Sequence, residues 1–237
     1  MYKQLTIIVP VYNEEGNLEQ LSSSLEQFME NSNAGTKVLF VNDGSEDNSQ
    51  VIIEKICERN KDFSFIEFEG NTGLSAALKA GFDHVDTPLT GYIDADLQTN
   101  PQDFNLLLEF ADEYDLVTGV RSTRKDNFLK RISSIIANKI RNIFTHDGMD
   151  DTGCPLKIIK TELAKKIPMF KGLHRFLPAM ILLQNGKIKQ VPVRHYKRVS
   201  GKSSFGLISR IPGPLSDCFA YLWMKKKYIR YKVKSSR

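Results

Sequence analysis

From residue 5 to residue 119 the chain alternates between short apolar runs and longer stretches of helical periodicity. This alternation limits its fold more than any other feature. The runs at 5–11, 37–41, 63–68, 91–93 and 116–119 read as strands, and 17–29, 48–60, 72–84 and 101–110 read as helices, the last with Pro101 at its start, where the missing N–H does no harm. Strand followed by helix, repeated, predicts an α/β domain: a mostly parallel sheet flanked by helices and joined by right-handed crossovers. A length of 237 residues fits one large domain of that kind. Ligands of such sheets bind beyond the carboxyl ends of the strands.

Three loops leave those ends, at 11–17, 42–49 and 94–96, and all are rich in acids and amides. In the third, Tyr92-Ile93-Asp94-Ala95-Asp96-Leu97-Gln98 delivers two carboxylates one residue apart. If the extended geometry continued, Asp94 and Asp96 would project from one face. Carboxylates held together repel unless a cation lies between them, and Mg²⁺ or Mn²⁺ suits oxygen ligands and substrate phosphates. The plainer alternative is a solvated turn before Asn100-Pro101. In the second loop Asp47 or Asn48 fits a helix N-cap, and the ligand spacing of a calcium loop is missing. Neither a Gly-x-Gly-x-x-Gly nor a Walker A sequence occurs.

Charge divides the chain. Residues 165–237 hold 18 Lys/Arg and a single acid, Asp217, for a net +17, whereas residues 1–164 hold 15 Lys/Arg and 27 Asp/Glu, for a net −12. An acidic half with a metal site and a basic half suit chemistry between phosphate-bearing molecules near a membrane. No nucleic-acid-binding signature accompanies the basic half, so no nucleic-acid partner is expected. Three dispersed cysteines (Cys57, Cys154, Cys218) form neither a disulfide framework nor a metal cluster, which predicts a reducing compartment. Cys154 and Cys218 read as small packing residues. No signal peptide is apparent, and no apolar stretch approaches the roughly 20 residues that span a bilayer.

The second half is less regular. Residues 127–144 read as a helix carrying Lys130, Arg131, Lys139 and Arg141, 150–155 as a loop, and 161–167 as a short helix. Residues 188–196 read as a strand that brings His195, and then Arg198, to a flexible loop at 200–204. Near the end, an apolar segment at 215–224 with Trp223 precedes Lys225-Lys226-Lys227. That order predicts a segment at 212–237, outside a 1–211 catalytic domain, lying on an anionic membrane surface. The plainer reading is a docked terminal helix with a basic tail.

Taken in order, the motifs resemble those of inverting family-2 glycosyltransferases with the GT-A fold. Within that group the chain is most similar to the dolichol-phosphate mannose synthases and polyprenyl-phosphate glycosyltransferases. The matching residues are Val9-Pro10-Val11-Tyr12-Asn13-Glu14, Val41-Asn42-Asp43-Gly44-Ser45, Asn71-Thr72-Gly73, Asp94-Ala95-Asp96-Leu97-Gln98, Gly119-Val120-Arg121, Asp151-Thr152-Gly153-Cys154-Pro155-Leu156-Lys157, His174-Arg175-Phe176 and 198–204. The resemblance implies that Pro10, Tyr12, Glu14, Asp43 and Gly73 line a nucleotide-sugar pocket. It also implies that Asp94 and Asp96, with Gln98 as a third ligand, hold Mg²⁺ or Mn²⁺ on the donor diphosphate. Arg121, Arg131, Arg198 and Ser203 would meet the acceptor phosphate, with Asp96, Arg121, Arg198 and Asp151 nearest the chemistry. The partners implied are a nucleotide sugar (UDP- or GDP-linked) and a polyprenyl phosphate, at the inner face of the cytoplasmic membrane. A homo-oligomer or a membrane-protein partner stays open.

A lipid phosphate is already anionic at neutral pH, so it needs positioning by guanidinium groups more than a base. A sugar-hydroxyl acceptor on a glycolipid or polysaccharide is the alternative, and it needs one. His174, His195 and Asp151 are the candidates, each with a structural hydrogen bond as its plainer role. Likewise Arg121 could brace a loop, Arg131 could belong to a solvated face, and Gly73 and Gly81 could serve turns or close packing. A silent nucleotide-sugar-binding subunit is a third reading, against which the complete set of site residues argues.

Overall fold

The computed structural model describes residues 3–121, 141–196 and 212–229. Seven strands form one mixed sheet: β1 (Gln4–Val11), β2 (Gly35–Asn42), β3 (Phe63–Glu67), β4 (Leu89–Tyr92), β5 (Leu116–Arg121), β6 (Lys157–Lys160) and β7 (Ile188–Val193). Their order across the sheet is β3-β2-β1-β4-β6-β5-β7. All pairs are parallel except those of β6, which runs antiparallel to both β4 and β5. The order reverses between β1 and β4. At such a reversal the loops beyond the two strands diverge, and sheets of this kind bind ligands in the crevice between them.

The alternation in β1 assigns its side chains to two cores. Leu5, Ile7, Val9 and Val11 face α1 (Leu18–Asn31), α2 (Ser49–Arg59) and α4 (Phe104–Leu108). Ile8 faces α3 (Leu74–His84), and the same layer includes residues of α6 (Thr161–Lys165), α7 (Leu177–Leu183) and α8 (Pro212–Lys227). With both faces covered, the central strand β1 is apolar along nearly all its length, as parallel sheets require. In α1 the buried residues Leu18, Leu21, Ser22, Leu25 and Phe28 fall three and four apart, forming one stripe. Each large apolar side chain so buried contributes about 1.5–3 kcal/mol. Gly81 lets α3 lie directly on the sheet, since a Cβ there would come within 2.6 Å of Ile8.

The parallel strands and α1 to α3 fall within a few residues of the sequence expectation. Three regions differ. The helix expected at 101–110 is a 3-10 turn (Pro101–Asp103), capped by Asn100 accepting from the Gln102 N–H at 3.0 Å, followed by the short α4. Strand β7 stops at Val193, so His195 lies in the loop beyond it. Strand β6 and helix α7 were not foreseen. Most of the helix expected at 127–144 lies outside the described residues. Its end, here α5 (141–145), places Arg141 not on a solvated basic face but buried against Asp147. Cys154 and Cys218 are buried among apolar neighbours, as expected of packing residues.

Candidate active site

Beyond β1 and β2 the two acidic loops are fastened to each other. The Asn13 N–H donates to Ser45 Oγ (3.0 Å), the Glu46 N–H to Asn13 Oδ1 (2.8 Å), and the Glu14 N–H to Ser49 Oγ (3.0 Å). Asp47 caps α2 by accepting from the Ser49 N–H (2.9 Å), while its other oxygen accepts from the Glu15 N–H (3.1 Å). Much of the acidity that the sequence advertises is thus spent on holding the loops still. At the rim of this scaffold Tyr12 is exposed, while Pro10 and Glu14 are half-buried.

Asp43 is buried, and its carboxylate is already occupied by protein donors. It accepts from the Thr72 N–H (2.7 Å), the Thr72 hydroxyl (2.9 Å) and the Gly73 N–H (2.8 Å), so it clasps the loop that opens α3. The neighbouring Gly44, at φ +67°, brings its backbone so close to Gly70 that a Cβ would lie 2.5 Å from it. Asp43 therefore shapes the wall of the crevice by holding this loop against β2. Gly73 sits at the foot of α3 with φ +94°.

Strand β4 ends at Tyr92, so Asp94 and Asp96 lie on a turn with Leu97 at φ +59° rather than on an extended segment. Asp96 Oδ1 accepts from the Gln98 N–H (3.1 Å), and the Gln98 carbonyl accepts from the Tyr196 N–H (2.9 Å), which pins the turn to the end of β7. Asp94 Oδ1 accepts from the Tyr92 hydroxyl at 2.7 Å. Burial, and then the Asp96 carboxylate, push the Asp94 carboxyl up to about 6, against the pull of Tyr92, Lys157 and Arg121. The carboxylates are therefore close enough to repel, and a cation between them would relieve that repulsion. Among the described residues no cluster of three or more His, Cys, Asp or Glu could hold a metal. Two carboxylates with an amide nearby still match how Mg²⁺ or Mn²⁺ is held when substrate phosphates and water complete the shell.

Arg121, at the end of β5, is held by Asp151 in a two-pronged pair: Nε donates to Oδ2 at 2.6 Å and Nη2 to Oδ1 at 2.8 Å. Asp151 also accepts from the Gly153 N–H (3.2 Å). Next to them Lys157 is 1% exposed, its ammonium donating to the carbonyls of Cys154 and Thr152. His174 Nδ1 meets Ser75 Oγ at 2.8 Å. Burial, then Arg175 and Lys157, hold its imidazole down to about 3, so it is neutral at physiological pH and a weak base. His195 is buried beside the Asp96 turn.

Asp94, Asp96, Gln98, Arg121 and Asp151 thus gather at the carboxyl edge, near the crevice shaped by Tyr12, Glu14, Asp43 and Gly73. Arg131, Arg198 and Ser203 lie outside the described residues. Sequence reasoning missed Tyr92 and Lys157 as site residues. Both stand in stretches that the sequence singles out, Tyr92 before Asp94 and Lys157 at the end of the Asp151 motif, but neither was given a role.

Residues 6–167 match the family model for glycosyl transferase family 2. The chain is 30% identical over 237 residues to the dodecaprenyl-phosphate galacturonate synthase of Rhizobium johnstonii, covering 98% of this chain and 69% of that protein. Among solved structures, glucosyl-3-phosphoglycerate synthase from Mycobacterium tuberculosis, in complex with Mn²⁺, UDP and glucosyl-3-phosphoglycerate, aligns with a TM-score of 0.72 at 14% identity over 96% of this chain and 81% of that one. The mannosyltransferase PcManGT from Pyrobaculum calidifontis, in complex with GDP-Man and Mn²⁺, aligns with a TM-score of 0.62 at 19% identity over 84% of this chain and 58% of that one. At these identities the solved structures speak for the fold, which is GT-A. The chain belongs to glycosyltransferase family 2, and it is a glycosyltransferase.

Proposed function

We propose that this enzyme transfers a hexosyl unit, with inversion, from a UDP- or GDP-linked donor to a polyprenyl phosphate, using Mg²⁺ or Mn²⁺. The observation that carries this reading is the repelling pair Asp94 and Asp96 at the crevice, with the oriented Arg121 nearby. A phosphate oxygen of the acceptor attacks the anomeric carbon as that carbon's bond to the donor diphosphate breaks. The nucleoside diphosphate departs with the bonding electrons, and no proton need move. Asp94 and Asp96 would hold a divalent cation, which would supply positive charge against the growing charge of the leaving group. Arg121, its planar fork fixed by Asp151, would orient an anionic acceptor.

The state of two of the three base candidates, Asp151 and His174, favours this acceptor over a sugar hydroxyl. Both Asp151 oxygens accept from Arg121, and His174 is held to about 3. The relative from Rhizobium johnstonii is named for a polyprenyl-phosphate product, which points the same way. Purified enzyme given labelled UDP- and GDP-sugars, Mn²⁺ and a short polyprenyl phosphate should move label into the lipid, and chelation should slow it about 100-fold or more. Label appearing on hydroxyl acceptors but not on the lipid phosphate would reject the reading.

With such an acceptor, the reading extends to an enzyme working at the inner face of the cytoplasmic membrane. Among the described residues no helix is long and apolar enough to cross a bilayer. Helix α8 offers a surface contact instead. One side is docked through Cys218 (3% exposed) and Tyr221 (2%), with Tyr221 stacked on Phe176 at 5.6 Å. Away from that side Trp223 (68% exposed) faces outward; Phe219 (59%) is exposed but packs edge-on against Phe144 at 5.6 Å, Leu222 (38%) lies at the border, and Lys225, Lys226 and Lys227 follow. An apolar aromatic face bordered by lysines fits an interface bearing anionic headgroups, at roughly 1 kcal/mol per basic residue. In vesicle flotation, Trp223→Ser should cut binding to anionic vesicles about tenfold, with stability little changed because Trp223 is 68% exposed. Unchanged flotation of that variant would remove α8 as the contact.

A further inference from the structure

We infer that Lys157 is a positioning residue that holds the donor-side and acceptor-side halves of the active site in register. This rests on the transferase reading above and deepens it. Strand β6 runs antiparallel between β4 and β5, so its first residue lies at the carboxyl edge of its neighbours, opposite both Tyr92 and Thr118. From there the Lys157 side chain serves both halves of the site.

Toward the acceptor side, its ammonium binds the carbonyls of Thr152 and Cys154, which bracket Gly153. The Gly153 N–H in turn holds Asp151 Oδ1 at 3.2 Å, and Asp151 fixes Arg121 through two bonds. Toward the donor side, the ammonium lies 5.7 Å from the centre of the Tyr92 ring, whose hydroxyl holds Asp94 at 2.7 Å. The ammonium also attracts the carboxylates of Asp94 and Asp151 directly.

Energetics argue that this lysine does more than fill space. Burying an ammonium costs several kcal/mol, and a side chain present only for packing would be apolar. Here two carbonyls and two carboxylates compensate the charge. The Asp151 turn and the Tyr92–Asp94 pair belong to chain segments far apart in sequence, and Lys157 touches both.

The test uses Lys157→Met, which keeps the length without a donor, and Lys157→Gln, which keeps a donor without the charge. Folding is monitored by circular dichroism and a cooperative melt. We expect folded variants whose kcat for lipid-phosphate transfer falls about 30-fold or more while the donor KM moves less than about threefold, the pattern of an interaction made in the transition state. Combined with Asp151→Asn, the loss should be no worse than the larger single loss, because the residues act in one chain of contacts. A loss that tracks the fall in melting temperature and multiplies with Asp151→Asn marks a merely structural residue and overturns the proposal. So does a folded variant within about threefold of wild type, or failure of both variants to fold.

A crystal structure of Lys157→Gln gives a readout independent of activity. The Arg121 guanidinium and the 151–154 turn should move beyond the roughly 0.5 Å that productive geometry tolerates. Both remaining in place would reject the inference. Absence of transfer by the wild-type enzyme would instead reject the proposed function and leave this structural test standing.

Discussion

Asp96→Ala should lose at least about 10³-fold in kcat, the scale of removing a principal electrostatic stabiliser, while the protein still folds. The stability side follows from opposing effects. The substitution deletes the hydrogen bond from the Gln98 N–H to Asp96 Oδ1, a bond of a kind worth about 1 kcal/mol. It also removes the like charge that helps to drive the Asp94 carboxyl up to about 6. These contributions oppose each other, so the melting temperature should shift by only a few degrees. Asp96→Asn keeps nearly the same shape without the charge and should be almost as inactive, which separates charge from packing. The direct measurement is a thermal-shift titration with nucleotide and Mn²⁺. Ligand binding to the native state raises the wild-type melting temperature, and in both variants that rise should vanish. A preserved Mn²⁺-dependent rise, or full turnover, would remove the twin aspartates from the mechanism.

The legible parts of this chain are those where local pattern and tertiary role coincide. Strand β1 could be read because a run buried on both faces is apolar throughout, and α1 because its buried residues recur three and four apart. Strand β6 could not. Its four residues, Lys157-Ile158-Ile159-Lys160, begin and end in lysine and run straight into α6. Only the pairing with β4 and β5, distant in sequence, makes them a central strand. The same blindness hid Lys157 and Arg141, because a lysine or arginine in a sequence reads as solvated until the burying partners are known. Composition correctly marked the acidic loops as the place where a site would form. It did not reveal that Asp43, Asp47 and Glu15 spend their oxygens on neighbouring backbone, nor that Asp151 is committed to Arg121. For α8, the apolar segment before the lysines was visible, but its division into a docked side and an exposed side depends on what Tyr221 and Cys218 meet in the core.

The Arg121–Asp151 pair should show its two contributions, to stability and to catalysis, in separable form. Its side chains are 17% and 4% exposed, so breaking the pair strands a nearly buried charge. Arg121→Ala removes both guanidinium bonds to the Asp151 carboxylate, whose backbone donors include the N–H groups of residue 121 and Gly153. The expected cost is about 3 kcal/mol, at the low end for buried pairs because the guanidinium keeps some solvent. For a chain of this size that lowers the melting temperature by roughly 6–12 °C. Replacing both residues, Arg121→Met with Asp151→Leu, strands no charge and should recover most of the stability. It should recover none of the activity. If the guanidinium orients the acceptor phosphate, kcat/KM for the lipid stays about 10²-fold or more below wild type in the stable double variant as well as in the unstable single one. Thermal melts and transfer assays on the same three proteins therefore separate the roles. A double variant both stable and active would reduce the pair to a brace for the end of β5. One that is stable and inactive ties the acceptor to Arg121, because no loss of folding is left to explain the lost rate.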